Sequence, residues 1–380
     1  MNKGFRTDKK IGVLGGGQLG RMLQQKALSL GLDLAFIDPD KNAPCKDVSS
    51  RFFKGDIKDY DTVYAFGKDR DIITIEIEHV NVEALAQLEK EGVKVFPQPS
   101  VIKIVQDKGL QKQFYKENNI PTSDFFLIEG SDEVILFESH FPLMQKMRKG
   151  GYDGKGVTPM RSKEDLPQAF NEPSLLEKMV DFEKELSVIV SRNERGEIKS
   201  YPCVECVFNP EANLVDVLFS PAKITQEQEN ISQSIAKDII EKLDMVGLLA
   251  VELFLTKDGE ILVNEIAPRP HNSGHQTIEG NYESQYGQLI RCLLNLPLGA
   301  TDIVKPSVMV NLLGEKGFTG TAVYEGIDEV LSTAGVNVHL YGKGQTKPFR
   351  KMGHVTILSD TLEEGIEKAD FVKNTLKIKA

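Results

Sequence analysis

Two strand-like runs, LLAVELFL and EILVNEIA, flank Asp258–Gly259 in the segment 245–275. Asp-Gly between such runs is a strong signal for a two-residue hairpin turn. That turn sets Lys257 opposite Glu260, Leu253 opposite Asn264 and Glu252 opposite Glu265. Carboxylates directly opposite each other lie about 4.5–5.5 Å apart at Cβ, and like charges there are destabilising. A carboxylate inside an apolar run also costs desolvation energy. A divalent cation offsets both terms, and oxygen ligands from carboxylates and phosphates suit Mg²⁺. Glu252 and Glu265 are therefore candidate metal ligands; otherwise one of them turns to solvent, or the two share a proton. Asn264, Arg269 and His271 adjoin the pair. The set points to phosphoryl transfer, where positioning and charge neutralisation carry the catalysis.

A second candidate is Lys146 with GGYDGKG at 150–156. Such glycine density makes a loop that can fold over a polyphosphate with its backbone N–H groups. Lys146 and Lys155 would supply point charges, and Tyr152 and Asp153 can face a ligand from between the glycines. The spacing is not that of a Walker A loop. A third is LLEKMVDFEKELSVIV (175–190), where Glu177 closes one apolar run and Glu185 opens another. A strand leading into exposed main-chain groups suits an adenine edge, and a carboxylate can accept from both ribose hydroxyls. Taken alone, the same run reads as solvated charge.

Gly15, Gly17 and Gly20 match G-x-G-x-x-G between a strand and a helix, and Asp38 ends the next strand. The helix start is suited to an anion. A sugar phosphate or other anion is expected there ahead of a dinucleotide, with a structural glycine turn as the remaining reading.

The elements that must position these residues follow from periodicity. Residues 10–100 alternate strand runs (KIGVLGG, LDLAFID, DIITIEIE, VKVFP) with helices, as in a parallel sheet with crossovers. FPQPS (96–100) reads as a boundary. A helix from Lys108 to Asn118, strands over 174–222, an amphipathic helix over 226–245 and a helix near 283–295 follow. Short strands and a terminal helix after about 303 suggest a third unit. The expected class is α/β, with α+β character in the centre.

Composition narrows the function. The chain has 380 residues and a formal net charge of −10, which disfavours a nucleic-acid binder. Its four cysteines make no disulfide framework, and Cys203 and Cys206 lack a partner pair at zinc-site spacing. No apolar stretch is long enough to span a bilayer, and the N-terminal residues carry no secretory signal pattern. A cytoplasmic protein without nucleic-acid or membrane partners is expected.

Together GGGQLGRML, QDK with the following Gln-Lys, GGYDGKG, EKMV with ELSV, VNEIAPRPHNSGH and RKMGH resemble the ATP-grasp superfamily, and within it the family of 5-(carboxyamino)imidazole ribonucleotide synthetases. The resemblance runs from end to end; GYDGKG with NEIAPRPHNSGH is its most specific part. It implies an ATP-grasp fold in three parts: a doubly wound Rossmann-like domain over 1–100, a grasp domain over 101–300 with a mobile lobe around 120–190, and a small β-rich domain over 301–380. It implies an ATP-dependent ligase that carboxylates 5-aminoimidazole ribonucleotide with bicarbonate through carboxyphosphate in purine biosynthesis, with Mg²⁺ (or Mn²⁺) and a homodimeric assembly.

Carried over by position, the resemblance sets Lys108 and Lys146 on ATP phosphates under a lid of Gly151, Tyr152, Asp153, Gly154, Lys155, Gly156 and Val157. Glu177, Lys178, Met179 and Val180 would hold adenine, Glu185 ribose, and Phe208, Asn264 and Glu265 would complete the ATP side. Glu252 and Glu265 would hold the metal. Gln18, Leu19, Glu76, Tyr152, His271, Asn272, Ser273, Lys343, Arg350 and Lys351 would meet the ribonucleotide. Arg269, His271 and Asp153 are the catalytic candidates, Arg269 holding bicarbonate or the phosphoryl group by bidentate contact. The sequence departs from the pattern at Phe208 (usually His), Cys206 (Asn), Val157 (Gln), Lys108 (often Arg) and His79 (Asn). Ala267 stands where many other grasp enzymes place a metal-binding Asn. The alternatives are another ATP-grasp carboxylate-amine ligase, a nicotinamide oxidoreductase reading the glycine loop, and a non-catalytic nucleotide sensor.

Overall fold

The computed structural model describes residues 5–151, 156–211 and 214–380. Tyr152, Asp153, Gly154 and Lys155 lie outside them. Strands β1 (Ile11–Leu14), β2 (Ala35–Asp38), β3 (Arg51–Lys54), β4 (Ile72–Ile75) and β5 (Lys94–Val95) form a parallel sheet in the order β3-β2-β1-β4-β5. Helices α1 (Gln18–Leu28), α2 (Tyr60–Gly67) and α3 (Val82–Lys90) connect them. β1 and β4 are buried at every residue, which is why they read as unbroken apolar runs.

Helices α4 (Pro99–Val105) and α5 (Lys108–Glu117) lead into a four-stranded antiparallel sheet. Its strands β6 (Phe125–Ile128), β7 (Leu143–Met147), β8 (Val157–Met160) and β9 (Ser174–Lys178) lie in the order β6-β9-β7-β8. This lobe has its own small core of Ile128, Val134, Leu143, Met160 and Leu176.

The largest sheet comprises β10 (Phe182–Arg192), β11 (Ile198–Ser200), β12 (Val204–Asn209), β13 (Leu214–Ser220), β14 (Gly247–Thr256), β15 (Ile261–Ala267) and three later strands. Its order is β15-β14-β10-β12-β13, continued by Ser307–Leu313, Lys351–Leu358 and Val336–Leu340, with β11 paired to β10. β10 pairs with β14 from Phe182 to Arg192, so the sheet of the lobe ends at Lys178. The strands after residue 303 continue the central sheet, because Val310 pairs with Val217 of β13. Helix α6 (Gln226–Lys242) buries Ala236, Ile239 and Ile240 against Val188, Val190, Leu249 and Val251. Each fully buried Val, Leu or Ile side chain among them contributes roughly 1.5–3 kcal/mol. Cys45, Cys203, Cys206 and Cys292 are buried free thiols. Among the described residues no helix is long and apolar enough to cross a membrane.

Candidate active site

Glu252 of β14 does face Glu265 of β15, but by a different route from the one the Asp-Gly turn suggested. The loop has three residues, Lys257 to Gly259, closed by Thr256 N–H to the Glu260 carbonyl at 2.9 Å. Gly259 takes φ +86°, in the left-handed region that glycine adopts without steric cost. The longer loop slips the register by one, so Leu253 faces Val263 rather than Asn264. A bulge at Asn264 restores it, and Glu252 again meets Glu265. The bulge also brings consecutive side chains, Asn264 and Glu265, onto one wall of a cleft. Val251 and Leu253 point the other way, into the core.

The cleft holds about 440 Å³ between the lobe and the large sheet. Lys108 of α5 bonds the Glu265 carboxylate. Lys108 is the largest influence on Glu265 and holds it below the usual carboxylate range, while burial first, then Glu265 and Glu185, push Glu252 up to about 8. Burial takes Glu185 up to about 7, with Lys146 only partly offsetting it. Burial and neighbouring carboxylates thus work against the ionised form of Glu252, the condition that a bound dication relieves. Among the described residues no group of three or more His, Cys, Asp or Glu forms a ready-made metal site. Two carboxylates fit a Mg²⁺ ion that draws its remaining ligands from nucleotide and water.

The lysines are positioned by Glu177, expected at the adenine edge, and by Asp107 and Arg148, for which the motifs implied no role. Glu177 sits between Lys112 and Lys146 as their shared counter-ion. Burial works to raise its carboxyl, yet Lys146 and Lys112 bring it to about 2. Its side chain is thus committed, which leaves the main chain of Glu177 and the residues Lys178 to Val180 for an adenine edge. Lys146 also donates to Asn264 Oδ1 at 3.1 Å. Asp107 caps α5 through Gly109 N–H at 2.9 Å and binds Arg148 through two 2.9 Å bonds. Lys112 is one helical turn from Lys108, and Arg148 is two residues from Lys146. Same-face spacing on a helix and on a strand was the available signal.

Lys178, Met179, Val180, Glu185, Phe208, Gly151 and Val157 line the cleft. Gly156 closes the loop base, accepting from Met147 N–H at 2.8 Å. Arg269 lines the cleft with its guanidinium already held: Nε and Nη2 donate to the Glu78 carboxylate at 2.5 and 3.3 Å. The bidentate contact foreseen for bicarbonate is therefore made, along one edge, by the protein itself. His271 Nε2 lies 3.3 Å from Glu252, and Nδ1 lies 2.9 Å from Ser273 Oγ. Burial and then Arg269 bring His271 down to about 3, so it is neutral. Asn272 exchanges two amide bonds with Asn311, at 2.9 and 2.8 Å. Ser273 is buried, bonded to Ser187 Oγ at 2.7 Å.

The glycine loop is the clearest correction. Glu76 of the strand-end segment accepts from Gly17 N–H and, at 2.6 Å, from Gly20 N–H, so the start of α1 already holds a carboxylate. Asp38 accepts from Gly16 N–H at 2.7 Å. A Cβ at Gly15 would come within 2.5 Å of Glu76 Cγ, and one at Gly17 within 2.7 Å of Glu76 Oε1. The glycines make room for Glu76, not for a phosphate or dinucleotide. Gln18, Leu19 and Glu76 are not among the residues lining the cleft. Of the phosphate candidates, Lys351 lines it. Lys343 Nζ donates to the Lys351 carbonyl at 2.7 Å, and Arg350 Nη1 to the Gln345 carbonyl at 2.5 Å.

Three family models match the chain: "Ribonucleotide synthetase preATP-grasp domain" over 8–106, "ATP-grasp domain" over 113–286 and "Phosphoribosylaminoimidazole carboxylase C-terminal domain" over 307–368. The N5-carboxyaminoimidazole ribonucleotide synthase of Bacillus subtilis is 35% identical over 365 residues, covering 94% of this chain and 93% of its own. The chloroplastic phosphoribosylaminoimidazole carboxylase of Vigna aconitifolia is 37% identical over 93% of this chain, and the chain spans only 64% of its length. The crystal structure of N5-carboxyaminoimidazole ribonucleotide synthetase from Thermotoga maritima superposes with a TM-score of 0.91 at 42% identity, covering 98% of this chain and 99% of that one.

Proposed function

The chain belongs to the ATP-grasp family of N5-carboxyaminoimidazole ribonucleotide synthetases, and from that premise we propose how its residues divide the work. The enzyme is an ATP-dependent ligase that carboxylates the exocyclic amine of 5-aminoimidazole ribonucleotide in purine biosynthesis. A bicarbonate oxygen attacks the γ-phosphorus as the bond to ADP breaks, giving carboxyphosphate. Phosphate then leaves, and the amine nitrogen bonds to the released carboxyl carbon and gives up its proton.

Glu252 and Glu265 would hold Mg²⁺, with Asn264 beside them; the bound ion neutralises phosphate charge. Lys108 and Lys146 would move from their carboxylate partners toward the triphosphate. The main chain of Glu177 to Val180 would face adenine, and Glu185 the ribose. Arg269 would hold the oxyanion by the edge that Glu78 leaves open, while neutral His271 orients it. Lys351, with Lys343 and Arg350 behind it, would meet the ribonucleotide phosphate. Homodimeric assembly, a cytoplasmic location and the division at residues 100 and 300 belong to the same proposal.

The single observation carrying the metal-dependent reading is the facing pair Glu252 and Glu265 beside two lysines. Glu265→Gln is expected to cut aminoimidazole-nucleotide-dependent ADP release by about 100-fold or more while the protein stays folded. Near-normal turnover in that variant refutes the metal assignment.

A further inference from the structure

Glu78 stands two residues beyond Glu76, and the glycine loop does not account for it. Its carboxylate takes Arg269 Nε and Nη2, and Arg269 Nη1 donates to the Pro270 carbonyl at 3.1 Å. The main chain at Glu78 is pinned in turn: Gln106 Nε2 donates to the Glu78 and Val80 carbonyls at 2.7 and 2.8 Å. Both Glu78 and Arg269 line the cleft. A guanidinium offers a side edge, Nε with one Nη, and an end edge, Nη1 with Nη2. Glu78 occupies the side edge and the Pro270 carbonyl takes one Nη1 hydrogen, so the second Nη1 and Nη2 hydrogens, at the end of the group, are what remain for an oxyanion.

We propose that Glu78 is a positioning residue that locks the Arg269 guanidinium so that only its end edge addresses the bicarbonate-sized oxyanion in the cleft. The inference rests on the reading of the site given above and deepens it. Although burial works to raise it, the Glu78 carboxyl is held at about 2 by Arg269. It therefore stays ionised at neutral pH and is a counter-ion rather than a proton carrier.

The test compares wild type, Glu78→Gln and Glu78→Asp by ADP release in carbon-dioxide-free buffer, titrating bicarbonate and ATP separately, with thermal melts alongside. An amide in place of the carboxylate accepts one Arg269 bond and opposes the other. The expected result for Glu78→Gln is a fall of about tenfold or more in kcat/KM for bicarbonate, with KM for ATP within about twofold. Glu78→Asp, which keeps the charge, is expected to recover part of the loss. Unchanged bicarbonate dependence in Glu78→Gln overturns the proposal. So does an equal loss toward both substrates with a lowered melting temperature, which is what a merely structural role gives. Wild type without bicarbonate-dependent release overturns the ligase reading itself and this inference with it.

Discussion

Lys112 is 2% exposed, and so is Glu177, the carboxylate it meets. Taking two charges out of water is expensive, and removing one partner leaves the other uncompensated, typically a loss of about 3–5 kcal/mol. Glu177→Gln is the severe case, because it strands Lys112 and unbalances Lys146 at once. It is expected to destabilise the protein by about that amount, read by urea or thermal unfolding, and to raise KM for ATP as Lys146 loses its anchor. A melt within error of wild type would show that the two lysines find other partners. Glu177 also shows how residue type misleads: it was legible as a site residue, yet its role as a shared counter-ion depends on Lys112, which the Gln-Lys motif marked without giving it a role.

At the scale of elements, the Thr256–Glu260 hairpin decides the register of the metal pair. Nothing lies within 4 Å of a Cβ built on Gly259, so substitution there is a backbone question alone. Gly259→Ala is expected to cost about 1–2 kcal/mol, the price of a left-handed L-residue, and Gly259→Asn less. The check is a pair of melts with retained ADP release; equal stability of all three would mean the loop changes type.

The histidine stack is a second element-scale device. His275 lies 4.6 Å from His354, ring centre to ring centre, and His354 lies 4.5 Å from His339 on strand Val336–Leu340. His275 Nδ1 faces Tyr286 Oη and Gln285 Nε2, His354 Nδ1 faces Tyr341 Oη, and His339 Nε2 meets Glu279. Burial, then neighbouring histidines, lower His275 and His354 well below 6.5. The unfolded chain therefore binds protons that the folded one refuses. The contribution of these two histidines to stability is full above about pH 6.5 and falls below it by about 1.4 kcal/mol per pH unit for each of them. Unfolding midpoints from pH 7.5 to 5 test this, and His354→Phe should flatten the slope.

At the scale of the whole molecule, the three parts share structure rather than merely adjoin. The segment after β4 sends Glu76 to the start of α1 and Glu78 to Arg269, joining the parallel sheet to the cleft. Strand Ser307–Leu313 adds to β13 and carries Asn311, which holds Asn272 of the site. A chain ending at residue 300 would expose the β13 edge and release Asn272. It is expected to aggregate rather than fold as a grasp domain; a soluble, monodisperse truncation with a cooperative melt would contradict that.

By themselves, the residues determined the alternation of strands and helices, the pairing of two glutamates across a hairpin, and the end-to-end resemblance that pointed to an ATP-dependent carboxylation. These are local or pattern-borne: hydrophobic period, turn chemistry and motif spacing act within a few tens of residues. Tertiary structure alone decided the counter-ions. Which lysine neutralises Glu177, which carboxylate fills the start of α1, and which edge of Arg269 stays open depend on groups far apart in the chain. Their electrostatics acts through space at a few ångströms, with no trace in sequence separation.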